Sequence, residues 1–121
     1  MERVIGLGGP FIKAKDPKAL AAWYEKHLGV PFNGSTYVTW QFGDSKDGFN
    51  IMSFTKQESD YFKPSEKEVM INFIVKDLHA LIGQLKEEGV TIAGDPQDSE
   101  YGKFGWIMDP EGNKVELWQA P

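Results

Sequence analysis

The feature that most constrains this chain is an internal repeat. Lys15-Asp16 and Lys76-Asp77 stand 61 positions apart, and Gly29-Val30 and Gly89-Val90 stand 60 apart. Each pair brackets a helical pattern. In the first, Asp16 is a good N-cap and Pro17 suits the first helical position. Leu20, Trp23, Tyr24 and Leu28 then follow at the spacing of a helix packed on a sheet, and Gly29 ends it. In the second, Asp77 caps a run carrying Leu78, Leu81, Ile82 and Leu85, and Gly89 ends that one. Each half reads β-α-β-β-β. A half of roughly 50–60 residues buries its sheet poorly alone, whereas two halves can share one core. The expected organisation is a single domain over 1–121: a first module at about 1–54, a linker at about 55–68 and a second module at about 69–121.

The strands follow from period-two patterning and turn residues. Residues 4–14 read as a glycine-rich strand in which Pro10 suggests a bulge or an edge. The glycines precede a strand and do not join a strand to a helix, so they form no phosphate-binding loop. Asn33-Gly34-Ser35 is a turn. Residues 36–42 and 49–54 read as strands, the first with Val38, Trp40 and Phe42 on one face. Residues 55–68 are polar, interrupted by Tyr61-Phe62 and Pro64. Further strands are expected at Val69–Lys76, Val90–Ile92, Phe104–Met108 and Lys114–Gln119, with a loop from Asp95 to Lys103.

Bulk properties remove several function classes. The net charge is −5 with no basic cluster, which argues against nucleic acid and anionic membrane surfaces. There is no Cys, so disulfides, thiolate chemistry and Cys-based zinc sites are excluded. Met-Glu-Arg-Val does not open a signal peptide, and no apolar run reaches the length of a membrane span, so the cytoplasm is the expected location. Aromatic residues are 13% of the chain, and four are Trp. Both histidines, His27 and His79, fall on helices, where a structural role is expected.

The closing stretch, Gly105 to Trp118, is a strand, a tight turn and a strand. In Asp109-Pro110-Glu111-Gly112-Asn113, Pro110 presets φ and Gly112 supplies a positive φ. Glu116 sits between Val115 and Leu117, so it points to the opposite face from them, beside Trp118. With Lys15-Asp16-Pro17, Trp23-Tyr24, Leu28-Gly29, Phe73-Ile74-Val75-Lys76-Asp77 and Gly89-Val90, this motif resembles the vicinal oxygen chelate superfamily: glyoxalase I, bleomycin-resistance proteins and extradiol dioxygenases. The resemblance spans nearly the whole chain. It implies an α+β fold of two tandem βαβββ modules, forming curved, cup-shaped mixed sheets, and a homodimer at this length.

Enzymes of that superfamily hold a divalent metal on the inner face of the cup, through ligands on the first and last strands of each module. The equivalent positions here are Gly9, Met52, Met70 and Glu116, and only Glu116 is a good ligand. A catalytic metal needs about three protein ligands and an open position, so no metal or other cofactor is expected. In place of the metal face, the side of Glu116 is expected to carry Phe11, Met52, Phe54, Met70, Asn72 and Trp118, with Trp40 and Trp106 as walls. Apolar walls with a few orienting polar groups suit a small molecule, and Trp faces suit planar rings or cations. The alternative is that these side chains fill the cup as ordinary core. Glu116 would either orient a ligand, act as an acid or base, or pair with Lys114, Lys13 or Lys103. The expected function is a metal-independent protein binding a planar or aromatic molecule, like the bleomycin-resistance branch. A metal-dependent lyase, isomerase or dioxygenase, completed by Glu68, Gln41 or Gln119, stands as the alternative.

Overall fold

The computed structural model describes Pro10, residues 12–40, Asn50, Phe54 and residues 56–121. The fold is α+β, and the described residues form a four-stranded mixed sheet and two helices. Helix α1 (Pro17–Leu28) starts at Asp16, whose carboxylate accepts from the Ala19 amide at 3.1 Å, and stops at Gly29 with φ +67°. Helix α2 (Leu78–Glu87) starts the same way, with Asp77 accepting from Ala80 N, and is followed by Gly89 at φ +80°. The short polar side chain satisfies an otherwise orphaned N–H, and glycine turns the chain into the left-handed region without a Cβ clash.

The second half has the βαβββ order: β1 (Ile71–Ile74), α2, β2 (Gln97–Ser99), β3 (Gly102–Met108) and β4 (Lys114–Gln119). The strands lie in the order β1-β4-β3-β2, with β1 parallel to β4 and the other pairs antiparallel. One face carries Phe73, Ile107, Val115 and Leu117 and packs on Leu78, Ile82 and Leu85 of α2 and Tyr24 of α1. Leu78, Leu85, Ile107, Val115 and Leu117 are completely inaccessible. Gly105 lets α2 approach: a Cβ there would stand 3.1 Å from Ile82 Cδ1. Strand alternation then directs Asn72, Ile74, Phe104, Trp106, Met108, Lys114, Glu116 and Trp118 to the other face, called the far face below.

Two expectations need correction. The strand expected over residues 36–42 is not formed across its described part, 36–40. A strand exists through its ladder, and no described segment pairs with this one. The expected loop from Asp95 to Lys103 instead contains β2. The edge of the sheet is one extended path in two pieces. Ala93 N donates to Trp106 O and Met108 N to Thr91 O around the Ile92–Ile107 bridge, and β2 pairs further along β3. Between the pieces lie Gly94, at φ +112°, and Pro96, which has no N–H to give to a ladder. The strands expected over 4–14 and 49–54 lie almost wholly outside the described residues.

The Asp109–Asn113 turn joins the halves. Asp109 N donates to Asn113 O at 2.9 Å, and Gly112 takes φ +82°. The Asp109 carboxylate is buried and accepts from the Glu111 and Asn113 amides, Asn113 Nδ2 and, at 2.7 Å, the hydroxyl of Tyr24 on α1. Glu111 accepts from the Lys15 and Asp16 amides at the start of the same helix. His27 Nδ1 meets Glu88 at 3.2 Å, bridging the ends of the two helices.

Candidate functional site

The centre of the far face is Glu116. Register places it directly opposite Asn72 on β1 and Trp106 on β3, and directly opposite residues on one face bring their side chains together. Glu116 is only 8% exposed. Its carboxylate accepts from Asn72 Nδ2 at 2.8 Å and from Trp106 Nε1 at 2.8 Å. A third donor is the hydroxyl of Tyr61, from the segment that precedes β1. A buried carboxylate is costly unless its oxygens are hydrogen-bonded, and three donors meet that requirement.

Tyr61 is 42% exposed and stands edge-on to Trp106, with ring centroids 6.1 Å apart and planes at 89°. Burial raises its pKa above the ordinary phenol value, and the hydrogen bond to Glu116 and the Glu116 charge push it the same way. Lys114, two positions before Glu116 on β4, closes the cluster. Its ammonium donates to Tyr61 O at 2.6 Å and lies 5.2 Å from the Tyr61 ring centroid and 5.4 Å from that of Trp106. Burial lowers the Lys114 pKa, against which the charges of Glu116 and Asp60 work. The next row of the face is Ile74, Trp118 and Phe104. The Trp118 and Phe104 rings stack with centroids 6.3 Å apart, and Trp118 Nε1 donates to Tyr101 O at 2.8 Å.

The structure therefore brings Asn72, Trp106, Glu116 and Trp118 to one face, with Met70 half-buried just before β1. Trp40 is not among them. It is 56% exposed and meets Phe73, whose side chain belongs to the helix side of the sheet. Phe54 is 92% exposed. Phe11 and Met52, like Gly9 and Gln41, lie outside the described residues. Tyr61 was not among the expected site residues. Two adjacent aromatics in a polar stretch were its only signal.

The donor set tests the metal that the superfamily implies. Around Glu116 stand an amide N–H, an indole N–H, a phenol O–H and an ammonium. Toward Glu116 these groups direct protons rather than lone pairs, and Lys114 adds a positive charge, an arrangement that suits a hydrogen-bonded carboxylate. No group of three or more His, Asp or Glu side chains comes together among the described residues. The expected supplements are placed elsewhere. Gln119 caps α2 by accepting from Leu78 N at 2.9 Å, and Glu68 accepts from Gln57 at the surface. An ion pair of Glu116 with Lys13 or Lys103 is not formed either. Lys103 belongs to the helix side by strand parity, and Lys13 is exposed.

Comparison with known proteins agrees with the geometry of the fold. A family model described as a glyoxalase-like domain matches residues 10–118. No curated protein matches the chain. A solved structure described as a conserved domain protein is 15% identical with a TM-score of 0.61, covering 97% of this chain and 100% of its own. The oxidase ChaP-H2 is 19% identical with a TM-score of 0.57, covering 98% and 96%. At such identities the likeness is one of fold. A member of the glyoxalase/bleomycin resistance protein/dioxygenase superfamily from Sphaerobacter thermophilus DSM 20745 is 30% identical over 40% of either chain, with a TM-score of 0.38. The chain thus spans well under half of that relative. No helix of the described residues is long and apolar enough to cross a membrane.

Proposed function

This chain belongs to the glyoxalase-like domain family of the vicinal oxygen chelate superfamily, and on that premise we propose that it binds a planar or aromatic small molecule on the far face of its sheet, without a catalytic metal. The observation that carries this reading is the row Asn72–Glu116–Trp106 beside stacked Trp118 and Phe104. Aromatic rings line the face, with Trp106 and Trp118 buried and Phe104 half-buried, and one buried acceptor supplies orientation, the composition of a small-molecule site. The net charge of −5 draws cations toward the molecule at long range. At the site itself, Lys114 stands beside Glu116, so the local charge is balanced and neutral aromatic ligands are admitted equally. The protein acts as a homodimer in the cytoplasm.

The metal-dependent alternative requires ligands beyond Glu116, and the proton-donor surroundings of that carboxylate count against it. The test is a pair of measurements on purified, untagged protein. Tryptophan fluorescence is titrated with a panel of planar neutral and cationic aromatics, and metal content is determined by elemental analysis. Saturable quenching at micromolar ligand, with no stoichiometric metal, is the expected result. Stoichiometric metal that Glu116→Ala removes would overturn the reading.

A further inference from the structure

The far face is covered at its centre by a residue of the chain itself. From the geometry of Tyr61 we infer that this side chain is an internal stand-in for the ligand, and that the natural ligand is a neutral hydroxyaromatic molecule that displaces it from Glu116. The inference rests on the reading of this face as a small-molecule site and names the class of molecule it takes.

Tyr61 makes the contacts a bound phenol would make. Its hydroxyl donates to Glu116, its ring stands edge-on to Trp106, and the Lys114 ammonium lies near its ring. The subsite is already fitted to a phenol in its acceptor, its wall and its cation. The residue is also loosely tied. The backbone hydrogen bonds of its segment are local turns: Ser59 N to Lys56 O, Lys63 N to Asp60 O and Ser65 N to Phe62 O. Among the described residues, none of the segment's backbone bonds joins a strand's backbone, and the sheet holds it through Tyr61 OH and Lys114 Nζ. A segment held by local turns, one half-exposed side chain, the Lys114 bond to Tyr61 O and the buried Ser65 has few ties to the sheet, and it opens at lower free energy than the strands themselves. A core tyrosine looks different in this same molecule: Tyr24 is 6% exposed and lies on a helix.

The chemistry of the subsite sets the ligand class. The Glu116 carboxylate only accepts, so the incoming group must bring a proton. Asn72 and Trp106 already occupy it from two sides, leaving the position of the Tyr61 hydroxyl for one O–H. A ligand carboxylate would meet Glu116 as a like charge, whereas a phenol keeps its proton near neutral pH. An internal competitor weakens apparent affinity by the fraction of molecules in which the subsite is uncovered. Removing the competitor restores the intrinsic affinity.

The test uses the full chain with 2-naphthol and its isostere without a donor, 2-methoxynaphthalene, and reads dissociation constants by equilibrium dialysis. The wild type is expected to bind 2-naphthol at least tenfold more tightly than 2-methoxynaphthalene. Tyr61→Ala is expected to bind 2-naphthol at least tenfold more tightly than the wild type does. Tyr61→Phe, which keeps the ring and its packing, is expected to tighten binding at least threefold and decides the matter if the alanine variant does not fold. Equal affinities of the wild type and the Tyr61 variants would overturn the displacement while leaving the small-molecule site standing. Equal affinities for the two naphthalenes would overturn the hydroxyl requirement. Failure of every form to bind either naphthalene or any planar cation would overturn both the inference and the function on which it rests.

Discussion

Tyr24→Phe removes one oxygen atom and tests the joint between the two halves of the chain. The hydroxyl donates to Asp109 Oδ2 at 2.7 Å, with both residues buried. That oxygen has one other protein donor, Asn113 Nδ2, while Oδ1 takes the amides of Glu111 and Asn113. The phenyl ring stays, so no large cavity opens, and the cost is that of a hydrogen bond to a charged acceptor, about 1.5–3 kcal/mol. About 2 kcal/mol is expected, because the turn still offers Asp109 three donors. Urea unfolding followed by circular dichroism should show a lower midpoint with an unchanged slope. Asp109→Asn should cost a similar amount, and the double variant should cost less than the sum, with a coupling of about 1 kcal/mol or more. A loss under about 0.5 kcal/mol, the range of an ordinary surface substitution, together with zero coupling, would refute the claim that the turn clamps α1 through this contact.

The same hydroxyl sets an alkaline limit. Burial, then the bond to Asp109 and its charge, raise the Tyr24 pKa far above the phenol value, and Tyr61 is raised for like reasons. An acid whose pKa is raised by folding contributes stability that is complete below its unfolded pKa of about 10 and is lost as pH rises beyond it. Lys114 has the opposite sign, since its lowered pKa makes ammonium burial a cost that shrinks as pH rises toward the ordinary lysine value. Melting temperatures should therefore hold up to about pH 9 and fall above about pH 10, less steeply in Tyr24→Phe; an identical slope in that variant would contradict the assignment. Glycine substitutions should rank by what a Cβ meets. Gly102→Ala would place it 2.3 Å from the Gln119 carbonyl oxygen at φ +117°, and Gly105→Ala 3.1 Å from the flexible tip of Ile82. Gly102→Ala is expected to cost about 2–3 kcal/mol or more and Gly105→Ala about 1 kcal/mol; thermal unfolding that reverses this order would count against the packing described.

Local chemistry made both helices legible, because Asp16, Asp77, Gly29 and Gly89 act within one turn of where they stand. Strand parity likewise put Glu116, Asn72 and Trp118 on one face before any contact was known. Three features could not be read that way. Tyr61 reaches Glu116 across 55 positions, and a polar stretch without periodicity carries no sign of the face it will cover. β2 is exposed along its whole length, so no alternation of apolar residues announces it, and Gly94 and Pro96 make its surroundings look like a loop. Trp40 sits in an apolar alternation that suggests a strand, but its environment is set by Phe73, 33 positions away in the sequence. The motif Asp109–Asn113 was legible as a turn and opaque as a joint, because its partner Tyr24 belongs to the other half.

The broken edge at Gly94–Pro96 has a consequence for how these molecules meet one another in a crowded solution. An intact edge strand offers a row of unpaired N–H and C=O groups on which another chain can add a strand and start an aggregate. Here the row is cut into two stretches of three residues, 91–93 and Gln97–Ser99, offset by a glycine at φ +112° and a proline without a donor. The second stretch presents Gln97, Asp98 and Ser99, and Asp98 meets His79. This side of the sheet is thereby a poor template for stray β-pairing, so the molecule can be concentrated without zipping together along it.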